Sequence, residues 1–321
     1  MRHEQCRYSM ESLMPDNFIH VVLVCDDRYV RHAAATIISI VKNSHRKFHF
    51  YIFDCGIASE NIEILKAWNL EGSIVQIVPM QKIDIFEKFG LPPHFSSSIF
   101  YRVAIPNVLN SLEKCIFIDS DVVVTKDIEY LWEQDLQRKL MGIVYSEGNF
   151  LTKDSLKKYK TKIGLPEDKR YFYSGLMVMN LKELRAYNLL GKVVGFLTNH
   201  QKELICPEQD ILNIILDRQD LLELPAEWNF TPFSPLSKKH NLKTLPATIH
   251  YSVYKPWNFP YPITKRLPCR FFQFINQYYH YAFLTPFGHL GFPEASYKQV
   301  VRVIYKSTFQ PIERKLKNLL K

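Results

Sequence analysis

Short, continuous apolar runs alternate with segments of helical periodicity near the start of the chain. The apolar runs lie at residues 18–25, 48–55 and 73–78, and apolar residues recur at helical spacing at 32–42 and 59–70. A strand that is apolar throughout is buried on both faces, as in parallel sheets covered by helices. The alternation therefore predicts an α/β fold with a mostly parallel sheet, which binds ligands beyond the carboxyl ends of its strands.

The following segments continue this pattern with less regular spacing. We predict helices at 101–109 and 210–216, strands at 114–124, 141–145, 171–181 and 248–251, and a polar surface excursion at 152–169. Pro106 is expected to kink or interrupt the first of these helices, because proline removes a backbone donor. Together these segments predict one α/β unit at 18–265, preceded by an N-terminal extension at 1–17.

The composition is that of a globular protein. Of the 321 residues, 47% are hydrophobic and 23% are charged, which excludes general disorder. No run reaches the roughly 18 apolar residues of a transmembrane helix, and residues 1–17 hold no apolar block of signal-peptide length. The six cysteines are scattered and mostly lie in apolar runs, so we expect reduced, buried thiols in a cytosolic protein.

Positive charge is concentrated at the C-terminal end of the chain. The net charge is +9, and residues 265–321 contain ten Lys or Arg against two Glu. Residues 270–292 are dense in Phe and Tyr, and residues 296–321 interleave seven basic residues with apolar ones. This pattern favours an amphipathic basic helix that binds an anionic membrane or another polyanion, and the alternative is a solvated basic helix face.

Two acids, Asp119 and Asp121, interrupt the apolar strand pattern at 114–124. Residues i and i+2 of a strand point to the same side, so the two carboxylates are expected to lie close together. They repel each other unless a cation lies between them, and Mg²⁺ and Mn²⁺ prefer carboxylate oxygens. The tripeptide Asp119-Ser120-Asp121 also occurs in ordinary loops, but the apolar residues on both sides favour a metal-diphosphate site.

The other candidate residues have ordinary interpretations when each is taken singly. His250 can be a core histidine, Lys255 a solvated loop lysine and Arg102 an ion-pair partner. Glu208 and Gln209 precede an apolar helix, where capping residues are common. The chain contains no Walker A loop and no G-x-G-x-x-G, G-x-S-x-G, H-E-x-x-H or C-x-x-C motif, so the chemistry of those sites is not indicated.

Taken in order, the motifs resemble glycosyltransferase family 8, the retaining transferases that use sugar nucleotides. The matching segments are VVLVCDDRYV at 21–30, the helix of Arg102, FIDSDVVV at 117–124, YFYSGLMVMNL at 171–181, PEQDILN at 207–213 and IHYSVYKPW at 249–257. Within this family the chain looks most like bacterial lipopolysaccharide or lipooligosaccharide α-galactosyl- and α-glucosyltransferases. The resemblance implies a GT-A type nucleotide-sugar-binding fold at 18–265, with a basic, aromatic-rich helical tail.

The resemblance also implies a role for each candidate residue. It implies a Mn²⁺ or Mg²⁺ ion held by Asp119, Asp121 and His250. Contacts to the nucleotide-sugar donor would come from Asp26, Tyr29, Arg102, Ser120 and Lys255, with the lysine neutralising diphosphate charge. Gln209 corresponds to the residue beside the anomeric carbon, and Glu208 to its acidic neighbour.

The chain departs from the family pattern at several positions around the donor. Arg28 stands where Asn is common, and Tyr173 stands where an Asn normally contacts hydroxyls of the donor sugar. The segment between His250 and Lys255 lacks the usual Gly and is one residue short. Ser146 replaces an acid often found just after the sixth strand.

The resemblance implies retaining, metal-dependent transfer of a hexose from UDP-galactose or UDP-glucose to a lipopolysaccharide, lipooligosaccharide or other glycan acceptor. Residues 266–321 are expected to attach the enzyme to the inner face of the cytoplasmic membrane, where a glycolipid acceptor would be anchored. The alternative is a non-catalytic sugar- or polyanion-binding protein, which the changes at Tyr173 and Val253 favour and the retained metal-site residues oppose. No nucleic-acid partner is expected.

Overall fold

A computed structural model describes the protein at residues 18–80, 97–145, 153–199, 204–232, 244–252, 255–258 and 269–288. The strands of this structure form two sheets. The strands are β1 (Phe18–Cys25), β2 (Lys47–Asp54), β3 (Ile74–Pro79), β4 (Lys114–Ile118), β5 (Val122–Val124), β6 (Met141–Tyr145), β7 (Phe172–Asn180), β8 (Leu221–Glu223) and β9 (Thr248–His250).

The larger sheet has seven strands in the order β3-β2-β1-β4-β7-β6-β8. Its neighbouring strands are parallel except at β7, which runs antiparallel to both β4 and β6. The prediction of a mostly parallel central sheet is therefore confirmed. Because β1, β4 and β6 run in the same direction, their carboxyl ends lie along one edge of this sheet.

Helices cover both faces of the larger sheet. They are α1 (Val30–Lys42), α2 (Ser59–Lys66), α3 (Tyr101–Val108), α4 (Glu129–Trp132), α5 (Lys153–Ile163), α6 (Leu181–Ala186), α7 (Leu189–Asn199), α8 (Pro207–Ile215) and α9 (Cys269–Ala282). Alternate residues of β4 enter two apolar clusters. Ile116 and Ile118 pack in the cluster of α1 and α9, whereas Cys115 and Phe117 pack in that of α3 and α8. This two-sided burial explains why the strands read as continuous apolar runs.

Two predicted elements differ from the structure. The apolar segment 114–124 is two strands, β4 and β5, and β5 pairs with β9 in a separate two-stranded antiparallel sheet. Helix α2 ends at Lys66 rather than at residue 70, and its N-cap is Ala58 without a side-chain cap bond. Pro106 lies inside α3 without ending it.

Helix α9 packs against the body of the protein. Its residues Phe274, Tyr278 and Tyr281 are buried in the apolar cluster that also contains α1. The Asn43 amide donates to the Tyr281 hydroxyl at 2.7 Å, and the Tyr251 hydroxyl donates to the Phe274 carbonyl. Helix α9 thus forms part of the globular unit.

Two sequence expectations concern membranes and thiols. Within the described residues, no helix is both long and apolar enough to cross a membrane. The amphipathic helix predicted at 296–321 and the extension at 1–17 lie outside the described residues. The cysteines whose side chains are described are free thiols: Cys25, Cys55, Cys115 and Cys206.

Candidate functional site

The Asp119-Ser120-Asp121 turn connects β4 of the larger sheet to β5 of the smaller one. The two acids therefore do not share one strand, contrary to the prediction. Their convergence comes from the turn, which carries the chain from one sheet to the other at the carboxyl edge of β4.

Hydrogen bonds hold this turn to its neighbours. The Asp119 N–H donates to the carbonyl of Gly175 in β7 at 2.9 Å, and the Ser120 hydroxyl donates to the carbonyl of Val24 in β1 at 3.2 Å. The residue that follows β9 donates its N–H to the Asp121 carbonyl at 3.0 Å. The backbone of both sheets thereby fixes the positions of the acids.

Asp119, Asp121 and His250 form a cluster of potential metal ligands. His250 enters it because β9 pairs with β5 in a register that places the histidine opposite Val122. His250 Nε2 lies 3.3 Å from Asp121 Oδ1 and 3.8 Å from Asp119 Oδ2. One ligand atom from each residue lies within 4.8 Å of the others. A single cation can therefore contact all three side chains.

Each acid of the cluster also meets a cationic side chain on its outer oxygen. Arg102 Nη2 lies 2.9 Å from Asp119 Oδ1, and Lys255 Nζ contacts Asp121 Oδ2. Burial favours the protonated form of Asp121, but Lys255 and His250 outweigh it and hold the pKa of this carboxyl well below its usual range. The Asp121 carboxyl is therefore ionised at neutral pH.

The surroundings of His250 fit a metal ligand. Its Nδ1 lies 2.9 Å from Asn229 Oδ1, the kind of acceptor to which a metal-ligating histidine donates from Nδ1 while it coordinates through Nε2. A methyl group on Gly175 would lie 2.3 Å from His250 Cε1 and 2.8 Å from Asp119 Oδ2, so only glycine leaves this space open. Two carboxylates and one imidazole suit Mn²⁺ or Mg²⁺.

Glu208 lies beside Arg102, the residue that also contacts Asp119. Its Oε2 is 3.6 Å from Arg102 Nη1, which also donates to the Ser174 hydroxyl at 3.1 Å. Burial raises the pKa of Glu208 to about 7, although Arg102 acts in the opposite direction. No described residue hydrogen bonds to the buried Glu208 Oε1. That oxygen is thus a buried acceptor with an unused hydrogen-bonding capacity.

Gln209 has its amide engaged on both sides. Its Oε1 accepts from the Ser174 N–H at 3.1 Å, and its Nε2 donates to the Tyr171 hydroxyl at 2.8 Å. The sequence allowed Glu208 and Gln209 to be capping residues ahead of a helix. Instead, both lie in the first turn of α8, which begins at Pro207, and both are buried.

Asp26 and Tyr29 lie at the carboxyl end of β1, on the same edge as the acidic turn. Asp26 Oδ1 accepts from the Tyr29 N–H at 3.1 Å, and its Oδ2 lies 2.8 Å from the exposed Arg28. The Tyr29 ring meets Trp257 edge-on at 6.0 Å between centroids, close to Lys255. Burial raises the pKa of Tyr29, so its hydroxyl is neutral at physiological pH.

Several residues of the site were not among the predicted ones. Ser174 and Gly175 lie inside the YFYSG segment, where the small residues could have signalled close packing. Tyr173 is buried, and its ring centroid is 6.4 Å from that of His250. Asn229 is the last residue of a short 3-10 helix at Ala226–Asn229, and nothing in the local sequence marks it.

The fold and the sequence resemble proteins of known type. A structure of the galactosyltransferase LgtC with donor and acceptor sugar analogues superposes with a TM-score of 0.69 and 20% identity, covering 87% of this chain and 99% of that one. General stress protein A of Bacillus subtilis is 28% identical over 300 residues, which are 87% of this chain and 98% of the relative.

A further relative is a lipopolysaccharide glucosyltransferase. The lipopolysaccharide 1,2-glucosyltransferase of Escherichia coli K12 is 24% identical over 274 residues, covering 78% of this chain and 76% of the relative. The sequence profile of glycosyl transferase family 8 matches residues 20–260, a range that contains the acidic turn, His250 and α8. The protein is therefore a glycosyltransferase that belongs to glycosyl transferase family 8.

Proposed function

We propose that the enzyme transfers galactose or glucose from its UDP-sugar to a glycan acceptor, with retention of anomeric configuration and with a divalent cation. The observation that carries the proposal is the cluster of Asp119, Asp121 and His250 between the cationic groups of Arg102 and Lys255. Anionic ligands for a metal, flanked by fixed positive charge, suit a nucleoside diphosphate bound through that metal.

Lys255 and Arg102 would act on the leaving group. A Mn²⁺ or Mg²⁺ ion held by the cluster would supply Lewis-acid stabilisation of the departing diphosphate. Burial lowers the pKa of Lys255, but Asp121 outweighs it and the net effect raises the pKa, so the ammonium stays charged. Arg102 is likewise held charged by Asp119 and Glu208 against the effect of burial. Both cations favour the negative charge that develops as the bond to C1 breaks.

Gln209 would position the reacting sugar or the acceptor rather than attack the sugar. Its carbonyl oxygen already accepts from the Ser174 backbone and hydroxyl, and a neutral amide is a weak nucleophile. The acceptor hydroxyl would therefore attack from the face that UDP leaves, which retains the configuration without a covalent sugar-enzyme bond.

UDP release from UDP-galactose and UDP-glucose, with and without Mn²⁺, tests the proposal. Asp119→Asn and Asp121→Asn should each abolish the metal-dependent release, whereas Asp135→Asn, a change at an exposed acid, should leave it unchanged. Full activity of either cluster variant without a divalent cation would refute the mechanism. Calorimetric titration of UDP addresses the non-catalytic alternative, which predicts absent or metal-independent UDP binding.

The membrane context is a second part of the proposal. Seven basic residues at 296–321, each contributing about 1 kcal/mol near an anionic surface, would give salt-sensitive attachment to the inner face of the cytoplasmic membrane. A lipopolysaccharide or lipooligosaccharide precursor anchored there is the proposed acceptor. Deleting 296–321 should preserve UDP binding and abolish sedimentation with anionic liposomes. Equal liposome binding by the full and shortened chains at low and high salt would overturn this part.

A further inference from the structure

Asp210, the residue after Gln209, is fully buried and accepts four hydrogen bonds. Its Oδ1 accepts from the hydroxyls of Tyr159 and Tyr171, at 2.5 Å and 2.6 Å. Its Oδ2 accepts from the backbone N–H groups of Ile205 and Cys206, both at 3.0 Å. A carboxylate is an acceptor only, so both phenol hydrogens point toward Asp210.

This arrangement determines which way the Gln209 amide faces. The Ser174 N–H can only donate, so the Gln209 atom beside it must be the oxygen. The Tyr171 hydrogen is directed at Asp210, so its oxygen is free to accept from Gln209 Nε2. The flipped amide would place a donor against the Ser174 N–H and an acceptor against the Tyr171 oxygen. Both buried hydrogen bonds would be lost in that orientation.

The Tyr171 hydroxyl keeps its hydrogen at all physiological pH values. Burial and the nearby carboxylate of Asp210 raise the pKa of Tyr171 well above its usual value. The orientation of Gln209 therefore does not depend on pH in the working range. Tyr171 uses one of the two amide hydrogens, and among the described residues the second has no protein partner.

We propose that Tyr171, itself anchored by Asp210, is a positioning residue that holds Gln209 in the one amide orientation that presents its second N–H to the bound sugar or acceptor. The expected effect of Tyr171 on kcat rests on the proposed function, whereas its expected effect on the Gln209 side-chain amide does not. The competing explanation is that the two tyrosines only join α5 and the start of β7 to α8 through Asp210. Tyr159 provides the comparison, because it donates to the same carboxylate oxygen and, among the described residues, makes no hydrogen bond with Gln209.

The test compares Tyr171→Phe with Tyr159→Phe in the full chain. Each change removes one hydroxyl donor from Asp210 Oδ1, and only the first removes the partner of Gln209. We expect Tyr171→Phe to lower kcat at least tenfold, with the KM for the UDP-sugar and the Mn²⁺ requirement within twofold of wild type. Tyr159→Phe should stay within twofold in kcat. Equal losses in the two variants would assign the tyrosines to packing and overturn the proposal.

A double-mutant cycle isolates the contact with Gln209. In a Gln209→Ala background, Tyr171→Phe should have no further effect on kcat, because the side chain that it positions is gone. An undiminished tenfold effect in that background would also overturn the proposal. Urea denaturation of each variant shows whether a loss of activity follows a loss of fold.

An NMR readout separates this inference from the proposed function. The side-chain amide signals of Gln209 are assigned in protein labelled with ¹⁵N-glutamine by their absence from Gln209→Glu. We expect the amide hydrogen bonded to Tyr171 to exchange more slowly than the other one, and Tyr171→Phe, unlike Tyr159→Phe, to remove this difference. An inactive wild type with this pattern would reject the transfer reaction and keep the orientation. An unchanged amide in Tyr171→Phe would reject the positioning role of Tyr171.

Discussion

Gly175→Ala is expected to disable the metal cluster by adding a single methyl group. The added Cβ would lie 2.3 Å from His250 Cε1, whereas ordinary contacts begin at 3.4 Å. His250 would therefore have to retreat by about 1 Å, five times the roughly 0.2 Å tolerance of a metal-ligand distance. The same methyl group lies 2.8 Å from Asp119 Oδ2, so moving the histidine alone does not relieve the contact.

Two magnitudes follow from this geometry. Displacing one ligand should weaken Mn²⁺ binding by about 10- to 100-fold, or about 1.4–2.7 kcal/mol. Overpacking at a buried position costs about 1–3 kcal/mol of folding stability. Mn²⁺ affinity is measured by calorimetric titration with UDP present, and stability by urea denaturation without metal.

Gly195→Ala is the matched control for this substitution. Gly195 lies in α7, and a Cβ built there meets no atom within 4 Å. Alanine is a better helix former than glycine, so the control should keep wild-type metal binding and gain up to about 1 kcal/mol. Wild-type Mn²⁺ affinity and UDP release in Gly175→Ala would refute the assigned packing of the cluster.

Three further predictions concern neighbouring side chains. Asn229→Ala should weaken Mn²⁺ binding about tenfold in the same titration, because it removes the acceptor that orients His250. Burial lowers the pKa of His32 to about 4 in the folded protein. As pH falls, the unfolded chain therefore binds a proton at this histidine at a higher pH than the folded chain does. About 3 kcal/mol of folding stability should be lost between pH 6.5 and pH 4. His32→Phe should remove that loss in urea denaturation at pH 7 and pH 4.5. The raised pKa of Glu208 has the opposite sign, so its contribution to stability should fall as pH rises from 4.5 to 7, and Glu208→Gln should flatten this dependence.

Much of the fold was predictable because buried strands leave a local signature. In β1, residues Val21, Val22 and Leu23 are fully buried, and such burial on both faces demands an unbroken apolar run. The same signature predicted a single strand at 114–124, which is wrong, because β4 and β5 are both apolar and buried but belong to different sheets. The local pattern does not record that the chain leaves one sheet for another between them.

The sequence predicted the site residues that lie inside recognisable motifs. It did not predict those that reach the site through contacts between distant parts of the chain. Asp119, Asp121 and His250 were proposed from the ordered motifs, and the structure brings them together. Asn229 meets His250 across 21 positions, and Ser174 meets Gln209 across 35. Neither contact has a fixed spacing that a single sequence could reveal, since both depend on how β7, α8 and β9 are placed in space.

Because β5 pairs with β9, the metal cluster can form only after the chain has been synthesised beyond His250. During synthesis the two acids emerge long before the histidine, and Lys255 follows Asp121 by 134 positions. The site closes only when β9 docks, and a slip of one residue in its register would replace His250 by an apolar or aromatic neighbour. A cation that binds the closed form also stabilises that junction by mass action. A chain that stops before residue 248 should therefore bind Mn²⁺ at this turn at least about 10- to 100-fold more weakly, however well its larger sheet has formed.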